Sequence, residues 1–336
     1  MRVLTGRDAS AIGPPRGLER STAAWRSWDS LFAAAVTLAG SLTLVLISAM
    51  VIFVLVEGYP ALTHYGVTGF LTSTRWAPSE ALPTRSLPNP YGIVQFIYGT
   101  LLTATIAMVF AVPVSVAIAL FITEVAPVRL RRFLSSLVDL LAAVPSVVYG
   151  FWGIFALIPA IRPVVLSLEG PVGSIPVIGN LFAGPFFGFS YITASLVLAI
   201  MVLPIVTAIC REVFRTVPVA EKEAAFALGA TRWEMIRISV LPRSRSGIVG
   251  ASILGLGRAL GETIAVTMVI GNSVLGIHTS LLSQGATMAS VIANEFTEAT
   301  EPFHLEALFV VAFFLLLIAV VINAIARLIV SRTAAL

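Results

Sequence analysis

Arg258 and Glu262 stand inside one of the most apolar stretches of the 336-residue chain, residues 246–274. Four positions apart, they are expected to be neighbours on one face of a helix. An arginine at bilayer depth costs about 2.5–3.5 kcal/mol on insertion scales, so it is kept where it is paired, packed against protein or reached by water. Two chemistries fit. In one, the two side chains form a buried ion pair that fixes helix packing. In the other, the guanidinium offers its planar fork to an oxyanion, and Glu262 holds it in place or takes it over when the site is empty. The residues alone leave both open. Gly255, Gly261 and Ala265 are expected on the same face, and Gly257 and Gly261 form a small-xxx-small spacing. Such a helix should face protein or a cavity and not lipid.

A second constellation lies in residues 211–245, the one sizeable water-facing piece. Pro218 suits the first turn of a helix. Ala220 to Leu228 are good helix formers, and Gly229 stands where a C-terminal cap belongs. Thr231 and Glu234 make a T-x-x-E capping box that restarts the chain as a second helix, which Pro242 is expected to end. The first of these helices should place Ala224, Ala225 and Leu228 with Val217 on one side, and Glu221 and Lys222 on another. A short, capped helix outside the bilayer is a rigid knob that moves as a unit; the plain alternative is a surface helix joining two spans.

Other chemistry has little support. Cys210 is the single cysteine, and His64, His278 and His304 are too scattered for a convincing zinc site. No G-x-x-x-x-G-K-[ST] loop occurs, so any ATP must be hydrolysed by another chain. An enzyme is not expected, and neither are catalytic residues, a metal, a cofactor or a nucleic-acid partner.

The elements that must position these residues follow from composition. The chain is 58% hydrophobic and 11% charged, against about 25% charged in soluble domains. That excludes a water-facing fold and leaves a polytopic membrane protein. Six spans are expected: 30–56, about 93–121, one within 133–161 with Asp139 near its end, about 190–210, 246–274 and 307–326. The runs are continuously apolar and not alternating, so they are helices and not barrel strands. With the polar start, 1–29, inside, 17 of the 21 Lys and Arg fall in cytoplasmic segments. That inside bias places both termini in the cytoplasm. Residues 57–92 and 161–190, rich in Gly and Pro, and 276–302, with Glu295, Glu298 and Glu301, are expected as packed outer caps or as docking surfaces. Pro113, Pro145 and Pro204 are expected to kink spans.

Glu223-Ala224-Ala225-x-x-x-Gly229 followed by Leu241-Pro242 resembles the EAA loop of binding-protein-dependent ABC importer permeases, with Ser239 where the family pattern has Ile. The resemblance implies that this helix inserts into a groove of a cytoplasmic ATPase. Gly257-Arg258-Ala259-Leu260-Gly261-Glu262-Thr263 resembles the signature of phosphate importer permeases, the PstC/PstA pair. So do Gly99-Thr100-Leu101, Ala111-Val112-Pro113, Thr123-Glu124-Val125-Ala126-Pro127 and Val144-Pro145-Ser146-Val147-Val148-Tyr149-Gly150. The extra first span and the 57–92 loop look more like the PstC side. The resemblance implies a type I ABC importer (MetI-like) permease fold over 93–330, in a bacterial inner membrane. It implies inorganic phosphate passing Arg258 and Glu262, and ATPase coupling through Glu223, Ala224, Ala225 and Gly229. It also implies three partners: a PstA-type permease, a PstB-type ATPase dimer and an extracytoplasmic PstS-type phosphate-binding protein. Permeases for sulfate or molybdate share the EAA loop and form the main alternative; an ATP-independent anion transporter is a more distant one.

Overall fold

A computed structural model describes residues 18–78, 90–173, 175, 178–301 and 303–333. The tail residues 1–17 and the 79–89 part of the outer loop lie outside the described residues. Among the described residues every regular element is a helix, joined by isolated bridges at Trp76–Tyr91 and Gly271–Gly285. In chain order these are α1 (Leu18–Thr72), α2 (Val94–Leu120, prolonged by a wide π turn, Phe121–Val125), α3 (Val128–Ala142) and α4 (Ser146–Trp152). After a second π turn, Gly153–Leu157, come α5 (Ile158–Gly173), α6 (Ile178–Leu181) and α7 (Tyr191–Arg215). The remainder are α8 (Val219–Ala227), α9 (Arg232–Met235), a third π turn (Ile236–Val240), α10 (Leu241–Gly261), α11 (Ile264–Ile270), α12 (Met288–Glu295) and α13 (His304–Thr333).

Among the described residues, five helices are long and apolar enough to cross a membrane: Trp28–Thr72, Val94–Val125, Ser146–Ser167, Tyr191–Arg215 and His304–Leu328. The pair Arg232–Gly261 and Ile264–Ile270 is bent by 61° and makes a sixth if the two are counted as one span. Several boundaries differ from the sequence reading. Residues 57–72, expected in a loop, continue α1, interrupted at Gly66 by φ 72 and ψ 151. The run 133–161 is not one element. Val144 precedes a proline, which disfavours helical backbone there, so α3 ends at Ala142 and Pro145 becomes the N-cap of α4. Pro145 therefore starts a span and does not kink one. Asp139 belongs to α3, where its carboxylate accepts from the Arg211 guanidinium at 3.0 Å. Pro242 ends nothing either: it sits in the first turn of α10, behind a π turn closed by the Leu241 N–H on the Ile236 carbonyl. The wider turn relieves the clash a proline ring makes with the preceding turn.

The chain forms two compact units, residues 1–53 and 54–336. In the first, apolar side chains on every side of the helix, among them Leu31, Phe32, Leu38 and Leu44, are exposed. Its hydroxyls are internally satisfied, Thr37 donating to the Ala33 carbonyl and Ser41 to that of Thr37. Such a surface suits lipid and not water.

The second unit is organised around α7, whose Leu198, Val202 and Val206 are fully buried. Small residues of α2 spaced three or four apart, Ala104, Ala107, Ala111 and Ser115, are also buried and let the two backbones come close. Ser115 Oγ donates to the Leu203 carbonyl at 3.0 Å. The first N–H groups of α7 have no helical partner; those of Ser190, Tyr191 and Ile192 donate to the carbonyls of Val269, Ser283 and Leu281. Gly99 explains itself here, because a Cβ would overlap the Ala286 carbonyl oxygen. Thr100 Oγ1 accepts from the Met288 N–H at 3.0 Å. A second cluster gathers Trp76, Tyr91 and Phe96 against α13. There one Glu295 oxygen accepts from Trp76 Nε1 and meets His304 Nε2, both at 2.8 Å.

Candidate functional site

The expected fifth span is a broken helix, and Arg258 and Glu262 stand at the break. α10 stops at Gly261; Glu262 is extended (φ −70, ψ 127) and Thr263 begins α11. The pair is nevertheless together: Arg258 Nη2 lies 3.6 Å from Glu262 Oε2. The two groups differ sharply in environment, with the Arg258 side chain 43% exposed and that of Glu262 7%. The other carboxylate oxygen of Glu262 accepts from the Ala265 N–H at 3.3 Å, satisfying a free donor at the start of α11. Glu262 is thus fixed by the backbone. Arg258 is held only by an ion contact too long for a hydrogen bond, and among the described residues its fork of N–H donors is open.

The small residues expected on one face split between two. A Cβ at Gly255 would meet Val202 and Val206 of α7 at 2.9 and 2.7 Å, so Gly255 is the inner, packed side of α10. Gly257 and Gly261 have nothing within 4 Å of a Cβ and lie on an open side. The break also removes Ala265 from their face; it is fully buried in α11. Span three supplies the neighbours that sequence reasoning did not assign a role. Tyr149 in α4 donates to the Leu141 carbonyl at 2.8 Å. Gly150 lets α4 press on α11: a Cβ there would stand 2.5 Å from Met268 Sδ and 3.4 Å from Ala265 Cα. The Tyr-Gly pair was visible in the sequence; the packing of Gly150 on α11 was not.

The constellation of residues 211–245 has the caps expected of it. Gly229 has φ +83. Its N–H donates to the Phe226 carbonyl at 2.9 Å and that of Ala230 to the Ala225 carbonyl at 3.1 Å, a Schellman closure. Thr231 and Glu234 form the capping box in both directions. The Thr231 N–H and hydroxyl, donating at 2.8 and 2.7 Å, hold the Glu234 carboxyl below the usual glutamate range. The faces of α8 differ from expectation. Ala225 is buried with Val217, Met235 and Ile236 beneath it, but Ala224 and Leu228 point outward, Leu228 at 88% exposure. A nine-residue helix at 100° per residue cannot turn positions 224 and 225 the same way. Glu223, Phe226 and Trp233 are exposed as well. Apolar side chains exposed together on one short helix and its neighbour suit contact with another surface.

The profile of the family described as "Binding-protein-dependent transport system inner membrane component" matches residues 111–335. The phosphate transport system permease protein PstC of Xylella fastidiosa (strain 9a5c) is 46% identical over 305 residues, 90% of this chain and 91% of its own. The PstC of Mesorhizobium japonicum is 41% identical over 308 residues, 90% of each chain. PstC 2 of Mycobacterium tuberculosis is 42% identical over 305 residues, 90% and 91%. Among solved structures, a bacterial ABC transporter importing alginate aligns with TM-score 0.53 at 16% identity, over 91% of this chain and 99% of its own. The MetNI methionine ABC transporter aligns with TM-score 0.52 at 17% identity, over 72% and 95%. At such identities the likeness concerns the fold, which is the MetI-like permease arrangement.

Proposed function

The chain belongs to the binding-protein-dependent transport system inner membrane components, and on that premise we propose that it is the membrane-spanning permease subunit of an ATP-driven importer moving inorganic phosphate into the cytoplasm. Relatives that match nine-tenths of the chain are phosphate transport permeases. The observation that carries the site is the guanidinium of Arg258, half-exposed at a helix break with its donors open, beside a carboxylate anchored elsewhere.

Its chemistry suits passage better than retention. Arg258 can donate two parallel bonds to a tetrahedral oxyanion. Glu262 prevents that site from becoming a trap, because its negative charge repels a bound phosphate and takes the guanidinium back as the ion leaves. The cytoplasmic knob supplies the drive. Exposed Glu223, Ala224 and Leu228 are offered to a PstB-type ATPase, and buried Ala225 with the Gly229 closure keeps the helix stiff enough to be pushed. Gly257 and Gly261 leave room on the open side of α10 for a helix of a PstA-type partner. A PstS-type binding protein would deliver phosphate to the outer side, to which the segments 73–92, 174–190 and 276–302 are assigned by the charge bias, with the tail 1–29 and the C-terminus in the cytoplasm.

The test is uptake by proteoliposomes holding the complete complex. Arg258→Ala and Glu262→Gln are expected to lower phosphate uptake at unchanged complex abundance. Unchanged uptake overturns the site; stimulation of the wild-type complex by sulfate and its binding protein in place of phosphate overturns the substrate.

A further inference from the structure

The sequence motif Thr123-Glu124-Val125-Ala126-Pro127 has no part in the pathway or in the capping of the knob. Its place becomes clear from a contact 98 residues away: Lys222 Nζ donates to Glu124 Oε1 at 2.7 Å. Both side chains are withdrawn from water, at 18% and 7% exposure. Lys222 is the single lysine of the chain, which otherwise uses arginine throughout. Where arginine would reach further and prefer a forked partner, lysine places a compact charge on one carboxylate oxygen.

We infer that the Lys222–Glu124 pair is the strut through which movement of the cytoplasmic knob reaches span two, making these two side chains positioning residues for transport. The inference rests on the coupling role proposed above.

Three features of the geometry support it. Glu124 sits in the π turn Phe121–Val125, closed by the Ala126 N–H on the Phe121 carbonyl at 2.8 Å. The extra residue in that turn rotates the end of the helix about its axis, and so places the carboxylate of Glu124 on the side of α8. Second, α2 does not end there as a loose helix. It is fastened to α7 by Ser115 and by its stripe of small residues, so a push at Glu124 is delivered to the α2–α7 pair. Third, the competing tie is weaker. Glu221 on the same knob contacts Arg243 of α10 at 3.3 Å, but those side chains are 39% and 60% exposed. Exposed pairs contribute little and are screened by salt. A short pair in a dry setting is strong, and losing one member strands a buried charge. Of the knob's two ionic ties among the described residues, the one to span two is the rigid one.

The experiment is a charge-reversal cycle in the complete complex, with phosphate as the probe. Lys222→Glu and Glu124→Lys are made singly and together, and phosphate moved per ATP hydrolysed is measured in proteoliposomes. Each single reversal is expected to lower that ratio roughly tenfold while ATP hydrolysis continues, and the double reversal to recover most of it. Lys222→Arg, which keeps the charge but not the compact head, should lower the ratio less than either single reversal does. A wild-type ratio in either single variant overturns the strut, and so does a double variant no better than the singles. If the reversals fail to assemble, Glu124→Gln is read against Lys222→Arg on the same scale, and equal ratios overturn it. Failure of the function itself is distinguishable, because the wild-type complex would then move no phosphate at all.

Discussion

Gly229 offers the cleanest perturbation of the knob, because its surroundings remove steric clash from the account. Its φ of +83 is left-handed, and nothing lies within 4 Å of a Cβ built there. A side chain at this position therefore meets open space, and its whole cost is backbone conformation. For alanine that cost is about 1–2 kcal/mol, offset by roughly 0.4–1 kcal/mol from the stiffer unfolded chain. Valine, β-branched, is a true outlier in this region and costs more; asparagine tolerates it and costs less. Against this stand the two closing bonds, from the Gly229 and Ala230 N–H groups, with a net value of about 0.5–1.5 kcal/mol each. The strain in Gly229→Ala is smaller than what the closure contributes, so the cap holds with some loss. In Gly229→Val the two are comparable, and the end of α8 opens. The expected order of phosphate transported per ATP is thus wild type, Asn, Ala, Val, with the Val complex hydrolysing ATP nearly uncoupled. The assay is paired transport and hydrolysis in proteoliposomes, normalised to assembled complex. Normal coupling in Gly229→Val refutes the stiff-lever argument. Equal loss in Asn and Val refutes the conformational cause, and points to contact between the new side chain and the ATPase.

Two more expected outcomes rest on particular contacts. Gly150→Ala should slow phosphate uptake severalfold without loss of assembly, since its Cβ would force Met268 aside and press on the backbone of α11; adding Met268→Ala should recover part of the rate, and no recovery would show that the Ala265 backbone is the obstacle. Glu234, held below the usual glutamate range in the folded chain, stabilises the restart of the helix at pH values above the ordinary glutamate range, and that stabilisation is lost as pH falls through its depressed folded value. Limited proteolysis of the 211–245 loop should accelerate in that acid window for wild type, whereas Glu234→Gln should show no such step there.

What the sequence revealed was what depends on neighbours within a turn or two. The Schellman closure at Gly229 and the Thr231–Glu234 box are local chemistry, and both were legible from residue types and spacing. So were the spans, since a twenty-residue apolar run has few other destinies. The break after Gly261 was not. No proline marks it, and the apolar run resumes directly after Gly261-Glu262-Thr263, so the stretch reads as one span. It is set by tertiary fit: Gly150 admits α11, and the carbonyls of Val269, Leu281 and Ser283 are needed at the start of α7. Pro242 misled for the complementary reason, because a π turn absorbed what sequence reads as a stop. The Lys222–Glu124 contact was invisible for the simplest reason, its long separation along the chain.

On the proposed mechanism, the two links from the knob make a motion that neither could make alone. The helix from Arg232 to Gly261 is continuous, about 45 Å of rod at 1.5 Å per residue, and it ends where Glu262 breaks it. Were that the sole link, a push would be absorbed by bending at the break, and Arg258 would travel with its own helix, keeping the same neighbours. Lys222 carries the same push to α2, and through α2 to α7. The rod and the α2–α7 pair meet at Gly255, whose missing side chain brings Val202 and Val206 against the α10 backbone. That contact lies less than one turn from Arg258. A sliding of one element past the other at Gly255 would therefore move the guanidinium relative to α7, which is what a site must do to present an oxyanion first to one side of the membrane and then to the other.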